Sequence, residues 1–136
     1  MAGSASDYLE NEILDHIFGN ESWSAPSDLY FALSTASPGE DGTTIAEPSG
    51  GGYSRKQITN NATNFPAASS GAKSNGVEIA FVEATGDWNT ITHYAIFDAA
   101  YPSGNMLAHG DLGVPKAITT GDTARFAIGD LDITFA

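Results

Sequence analysis

The stretch Ile91-Thr92-His93-Tyr94-Ala95-Ile96-Phe97 leads through the turn Ser103-Gly104-Asn105 to Met106-Leu107-Ala108-His109. Its reading decides how the rest of the chain is read. With Tyr94, Ile96 and Phe97 close together, 91–97 reads as the most buried strand of the chain, and the turn joins it to 106–109 as a hairpin. Working outward, Leu29, Phe31 and Leu33 alternate with Tyr30, Ala32 and Ser34, the period of a half-buried strand. A strand pattern resumes over 53–59. Val77, Ile79 and Phe81 alternate with Glu78 and Ala80, and Gly86-Asp87 marks a turn before Trp88. Residues 116–118, the turn Gly121-Asp122 and residues 123–128 read as a second hairpin, and Leu131, Ile133 and Phe135 alternate with Asp132 and Thr134. Short strands at this spacing predict a mainly β chain, an antiparallel β-sandwich of jelly-roll-like form.

Two segments interrupt the pattern. Residues 37–52, rich in Gly, Pro, Ser and Thr, form a loop of a length that is usually functional or mobile. Residues 60–75 are polar and turn-rich, with Phe65-Pro66 as a packed anchor. Upstream, 7–19 reads as one N-terminal α-helix. Asp7 caps it with Glu10 as reciprocal partner, and Gly19-Asn20 stops it. Leu9, Ile13 and Ile17 form its apolar stripe, widened by Leu14 and Phe18. Three turns of helix are marginal alone in water, so this stripe must dock, on its own domain or on a neighbouring subunit. The chain is read as one domain, 1–136: an arm over 1–7, the helix over 7–19 and the sandwich over 28–136.

Composition narrows the function. Seventeen acidic residues against five basic ones give a net charge of −12, and there is no cysteine. Arg55, Lys56, Lys73, Lys116 and Arg125 cannot line a phosphate-tracking stripe, so neither nucleic acid nor an anionic membrane is expected as a partner. No apolar run approaches the roughly 20 residues of a membrane span, and residues 1–4 do not read as a secretory signal. Without cysteine, thiolate metal sites and cysteine nucleophiles are excluded.

Nothing in the motifs calls for catalysis, a cofactor or a tightly held transition metal. His16, His93 and His109 are scattered with no HExxH or His-x-His spacing, and no serine sits in a G-x-S-x-G elbow. Asp122, Asp130 and Asp132 are the nearest approach to an oxygen-rich calcium cluster. The closing Glu of an EF-hand is missing, and a solvated strand face is the expected role. Gly50-Gly51-Gly52 precedes no helix and no G-K-[ST], so it is no phosphate cradle. Asn20-Glu21-Ser22 and Asn61-Ala62-Thr63 match the glycosylation tripeptide but read as turns. Trp23, Tyr53, Trp88, Tyr94 and Tyr101 would suit a carbohydrate platform, though aromatics of this size are expected chiefly in the packing of a sandwich.

The ordered set Ser6-Asp7-Tyr8-Leu9-Glu10-Asn11, Leu29-Tyr30-Phe31-Ala32-Leu33, Gly51-Gly52-Tyr53-Ser54-Arg55, Thr59-Asn60-Asn61-Ala62-Thr63-Asn64, Lys73-Ser74-Asn75-Gly76 and Ala95-Ile96-Phe97-Asp98 resembles a family of small tailed-phage virion structural proteins. Its members are labelled head-decoration (cement) or tail-fibre proteins. The resemblance implies a virion location; a single domain without a repetitive shaft or a separate receptor-binding segment favours the capsid exterior, with the major capsid protein as partner and a homo-oligomer, most simply a trimer. The alternative it implies is a tail-fibre or tail-tip component contacting host glycans. A clamp of this kind would use chain outside the core. That selects Ala2, Gly3 and Ser4 of an arm ordered only on assembly, Tyr8 on the helix, Trp23, Gly50, Gly51 and Gly52 of the long loop, and Tyr53 where the strand pattern resumes.

Overall fold

The computed structural model describes residues 1–135. In chain order the elements are β1 (Ala2–Ala5), α1 (Asp7–Phe18), β2 (Asp28–Ser34), β3 (Lys56–Thr59) and β4 (Ala72–Ser74). There follow β5 (Ile79–Ala80), β6 (Asn89–Phe97), β7 (Met106–Ile118), β8 (Arg125–Phe126) and β9 (Asp132–Thr134). The hairpin read from the sequence is the spine of the molecule. β6 and β7 pair antiparallel from Asn89 opposite Ile118 to Phe97 opposite Met106, with two register irregularities. On the other side β6 pairs β2, with Phe31 opposite Ile96 and Leu33 opposite Tyr94.

Both faces of these central strands are covered, which explains the nearly unbroken apolar run Tyr94-Ala95-Ile96-Phe97. One face carries Phe31, Leu33, Tyr94, Ile96 and Ala108 into the main core. There they meet Ile79, Phe81 and Phe126 of the β5–β8 ribbon and its flank, and the Tyr94 and Phe126 rings stand edge to face at 5.8 Å. The opposite face carries Ala32, Ala95, Phe97 and Met106 against Tyr30 and Ile45, the latter supplied by the loop 37–52. That loop is held down: Thr35 N–H donates to Ala46 O, and Pro38 is among the most buried side chains.

The chain is therefore mainly β with one short N-terminal helix, but the sandwich expected from the sequence is not what forms. The main layer is a curled seven-stranded sheet in the order β3-β2-β6-β7-β1-β9-β4, and the second sheet has two strands only, β5 and β8. The main sheet is also mixed, because β1 and β9 run parallel.

Three local readings change with it. Residues 1–4 are no free arm: β1 lies inside the sheet between β7 and β9, with Gly3 opposite Gly110 on one side and Ile133 on the other. Residues 116–118 extend β7 along β6 instead of pairing with 123–128, whose Phe126 pairs with Ile79. Segment 60–75, read as turns, contains β4, an edge strand on β9.

Candidate interaction surface

The helix starts at Asp7 as the sequence suggests, but its cap lies one residue earlier than expected. Ser6, fully buried, is the cap: its Oγ accepts from Leu9 N–H (3.2 Å) and donates to Met106 O. Ser6 N–H donates to Leu107 O and Asp7 N–H to Glu40 O, so the first turn of α1 is tied to β7 and to the long loop. The far end is closed by Gly19 N–H and Glu21 N–H, both donating to Asp15 O, with Asn20 in the left-handed region at φ 54°. His16 Nδ1 lies 2.8 Å from Glu21 O at the same end.

Between these ties the helix buries none of its residues. Its apolar stripe does not fully dock on its own domain. Leu9 and Ile13 are half-buried, whereas Leu14, Ile17 and Phe18 are 53%, 62% and 84% exposed. Phe135, 62% exposed just beyond β9, continues the patch. Glu10, Ile13, Leu14 and Phe135 line one open hollow of about 390 Å³. Phe135 was read in the sequence only as the last apolar position of a strand; its place beside α1 depends on the β1–β9 pairing, which no periodicity signals.

The other sequence candidates fall in different places. Gly3 is buried in β1, Ala2 is exposed and Ser4 half-buried. Tyr8 and Trp23 are half-buried. Gly50, Gly51 and Gly52 all have positive φ, and a Cβ on Gly51 would come within 2.9 Å of Trp88 Cδ1. Gly51 O accepts from Trp88 Nε1–H at 2.8 Å, so Gly51 alone of the three seats the fully buried tryptophan.

Tyr53 belongs to a clasp that sequence reasoning did not find. Its Oη donates to Glu47 Oε1 (2.7 Å) and accepts from Leu33 N–H (3.0 Å). Glu47 also receives Arg55 Nε–H and Nη2–H at 3.0 and 2.8 Å, a bidentate pair with both side chains under 5% exposed. Arg55 Nη1–H donates to Ala99 O and Ser103 O, and the guanidinium carbon lies 3.7 Å from the Phe97 ring centroid. The strand pattern read over 53–59 accordingly starts only at Lys56, because Tyr53 and Arg55 turn into this clasp. Burial and the Glu47 carboxylate push the Tyr53 phenol pKa upward.

The three aspartates read as an oxygen-rich cluster are each engaged in a separate local or cross-strand hydrogen bond. Asp122 Oδ2 accepts from Thr119 N–H and Oγ–H, Asp130 Oδ2 from Ala127 N–H, and Asp132 from Ser74 Oγ–H. Among the described residues no three His, Asp or Glu side chains are placed to hold a metal ion. Asn61 Oδ1 accepts from the N–H groups of Thr63 and Asn64, which accounts for the Asn-rich corner. His109 Nε2 lies 3.2 Å from Glu40 Oε1 and His93 Nε2 3.8 Å from Asp111 Oδ2, each facing an exposed carboxylate. Of the five aromatics considered as a carbohydrate platform, Trp88 and Tyr94 are core and Tyr101 alone is exposed. No helix among the described residues is long and apolar enough to cross a membrane.

The sequence of residues 4–134 matches the family described as Podophage GP4 fiber I protein gp80. No curated protein matches the chain.

Proposed function

We propose that this chain, which belongs to the podophage GP4 fiber I protein gp80 family, is a non-catalytic attachment domain of a fibre-type appendage on the phage particle. Membership itself implies a structural protein of the virion. The observation that carries the finer reading is the extent of the match, which starts inside β1 and ends with β9. What the family shares is therefore the whole sheet, not a catalytic loop grafted on it. The use of Glu47, Arg55, Asp122 and Asp130 as internal clips supports a rigid body that works through its surface. Its partners are other virion proteins. A capsid-exterior clamp on the major capsid protein, with copies in threes, is the same kind of protein at a different place on the particle. Quantitative mass spectrometry of purified virions separates the two: a fibre-type position gives few copies relative to the major capsid protein, a decoration position hundreds. Absence from the virion would overturn both.

One observation favours glycan contact as a second task. Tyr30 and the exposed Tyr101 flank a hollow of about 510 Å³, with Ser49, Ser54 and Gln57 supplying neutral polar groups. A ring face with hydroxyl and amide neighbours suits a sugar. Glycan-array binding by the isolated protein, lost in Tyr101→Ser, would support it; an array without signal would remove it.

A further inference from the structure

We infer that the solvent-facing apolar side of α1, continued by Phe135, docks on another protein whose contact surface is an apolar pocket rimmed by lysine or arginine. Leu14, Ile17 and Phe18 are spaced three and four apart, so they share one helix face. Single exposed apolar residues are ordinary, but Leu14 joins Ile13 and Phe135 around one hollow, and Ile17 and Phe18 extend the exposed apolar face along the next turn of the helix. A helix this short, with no residue of its own fully buried, is held in water by its end ties and by the half-buried Leu9 and Ile13 only. Covering the patch would supply the packing that its own domain does not.

Charge selects the occupant. Asp7, Glu10, Glu12 and Asp15 lie on the helix and Glu21 follows it, while residues 7–27 contain no lysine or arginine. Glu10 lines the hollow itself. Arg55 is consumed in the buried clasp, and Lys56 and Lys73 stand on strands. Lys116 and Arg125 line an apolar hollow of this same chain with Leu33, Ile91 and Phe126, which makes a head-to-tail second copy the rival occupant that sedimentation of the free chain tests. A second copy presenting the same face would set acids against acids in a chain of net charge −12. Nucleic acid and anionic lipid are disfavoured by the same field. A basic-rimmed protein pocket gains from both the apolar anchors and the acidic rim. The inference relies on the virion reading only for where that partner is found, namely on the particle.

The test uses particles of the phage encoding this chain, grown with its gene interrupted, and the purified full chain added back. Wild-type protein should bind saturably, and retention should fall at least tenfold between about 50 mM and about 500 mM salt as the charges are screened. Phe18→Ser and Leu14→Ser should each weaken binding about tenfold or more, since each removes a buried anchor. Glu10→Gln/Asp15→Asn should flatten the salt dependence, and Val82→Ser, an exposed apolar site elsewhere, should bind as wild type. All four should keep the wild-type melting temperature, which separates docking from folding. Full retention of Phe18→Ser, salt-independent retention of the wild type, or no retention at all overturns the inference. So does sedimentation of the free wild type as an oligomer that Phe18→Ser converts to monomer, which would make the occupant a second copy. Failure of the virion reading shows separately, as absence of the chain from unmodified particles.

Discussion

Tyr94 sets what its neighbours can be. Its ring is fully buried, and its Oη is the one buried side-chain polar atom among the described residues without a hydrogen-bond partner. A Cβ on Gly3 would fall 2.1 Å from that oxygen and 2.7 Å from His109 O, and one on Gly110 would fall 2.7 Å from Tyr94 Cε1. Gly3 and Gly110 face each other across the β1–β7 pair, so two glycines clear room for one phenol. Gly3→Ala should cost roughly 1–3 kcal/mol through overpacking. Tyr94→Phe alone should be neutral or stabilising, because it removes an unpaired hydroxyl. Combined with Gly3→Ala it should restore part of the loss, the remaining clash being with backbone; denaturant melts of the three variants check this. Burial, with Asp132 nearby, also pushes the Tyr94 phenol up to about 12. The folded value lies above the unfolded one, so the associated stability is complete below about pH 10 and is lost as pH rises through about 12. The effect should reach about 2–3 kcal/mol at its alkaline limit. Melting temperatures across that window should fall less steeply in Tyr94→Phe. None of this was legible in the sequence. Gly3 looked like one of several small residues in a terminal arm, and only Tyr94, 91 positions away, gives it a task.

At the scale of elements, legibility followed local periodicity. β2, β6 and α1 carry enough apolar residues at period 2 or 3.6 to be read directly, and Asp28–Ser34 and Asp7–Phe18 lie close to where the pattern put them. β1 and β4 are four and three residues long, built of small or polar residues, and exist because of pairings with β7 and β9. The second hairpin was misplaced because residues 116–118 can pair on either side, and the long β6 captured them. The same non-local logic hid the Glu47–Arg55 clasp, which ties the long loop, β2 and the 98–105 turn together. Arg55→Met leaves Glu47 charged and buried and should destabilise by about 3–5 kcal/mol. Glu47→Gln/Arg55→Met, with no stranded charge, should be less destabilised than Arg55→Met alone. Denaturation midpoints of the two variants decide it; equal losses would mean that the lost bonds to Ala99 and Ser103, not the stranded charge, dominate.

Over the whole molecule, the residues that looked functional in the sequence turn out to divide by burial. Trp88 is interior, Gly51 and Tyr53 are half-buried against it and the clasp, and the apolar side of α1 with Phe135 is left outside. The sequence showed that the stripe needed a partner surface; it could not show that the domain leaves it largely uncovered, because that depends on where β7 and β9 bring the helix. An acidic sheet domain with an uncovered apolar patch is the form expected of a part made to sit in a larger assembly. A cryo-electron microscopy map of the virion tests this most directly. The account expects density for this fold on the particle, with Leu14, Ile17, Phe18 and Phe135 buried against a neighbouring protein that places lysine or arginine beside Glu10 and Asp15. A map in which the domain is present but that helix face points into solvent would contradict it.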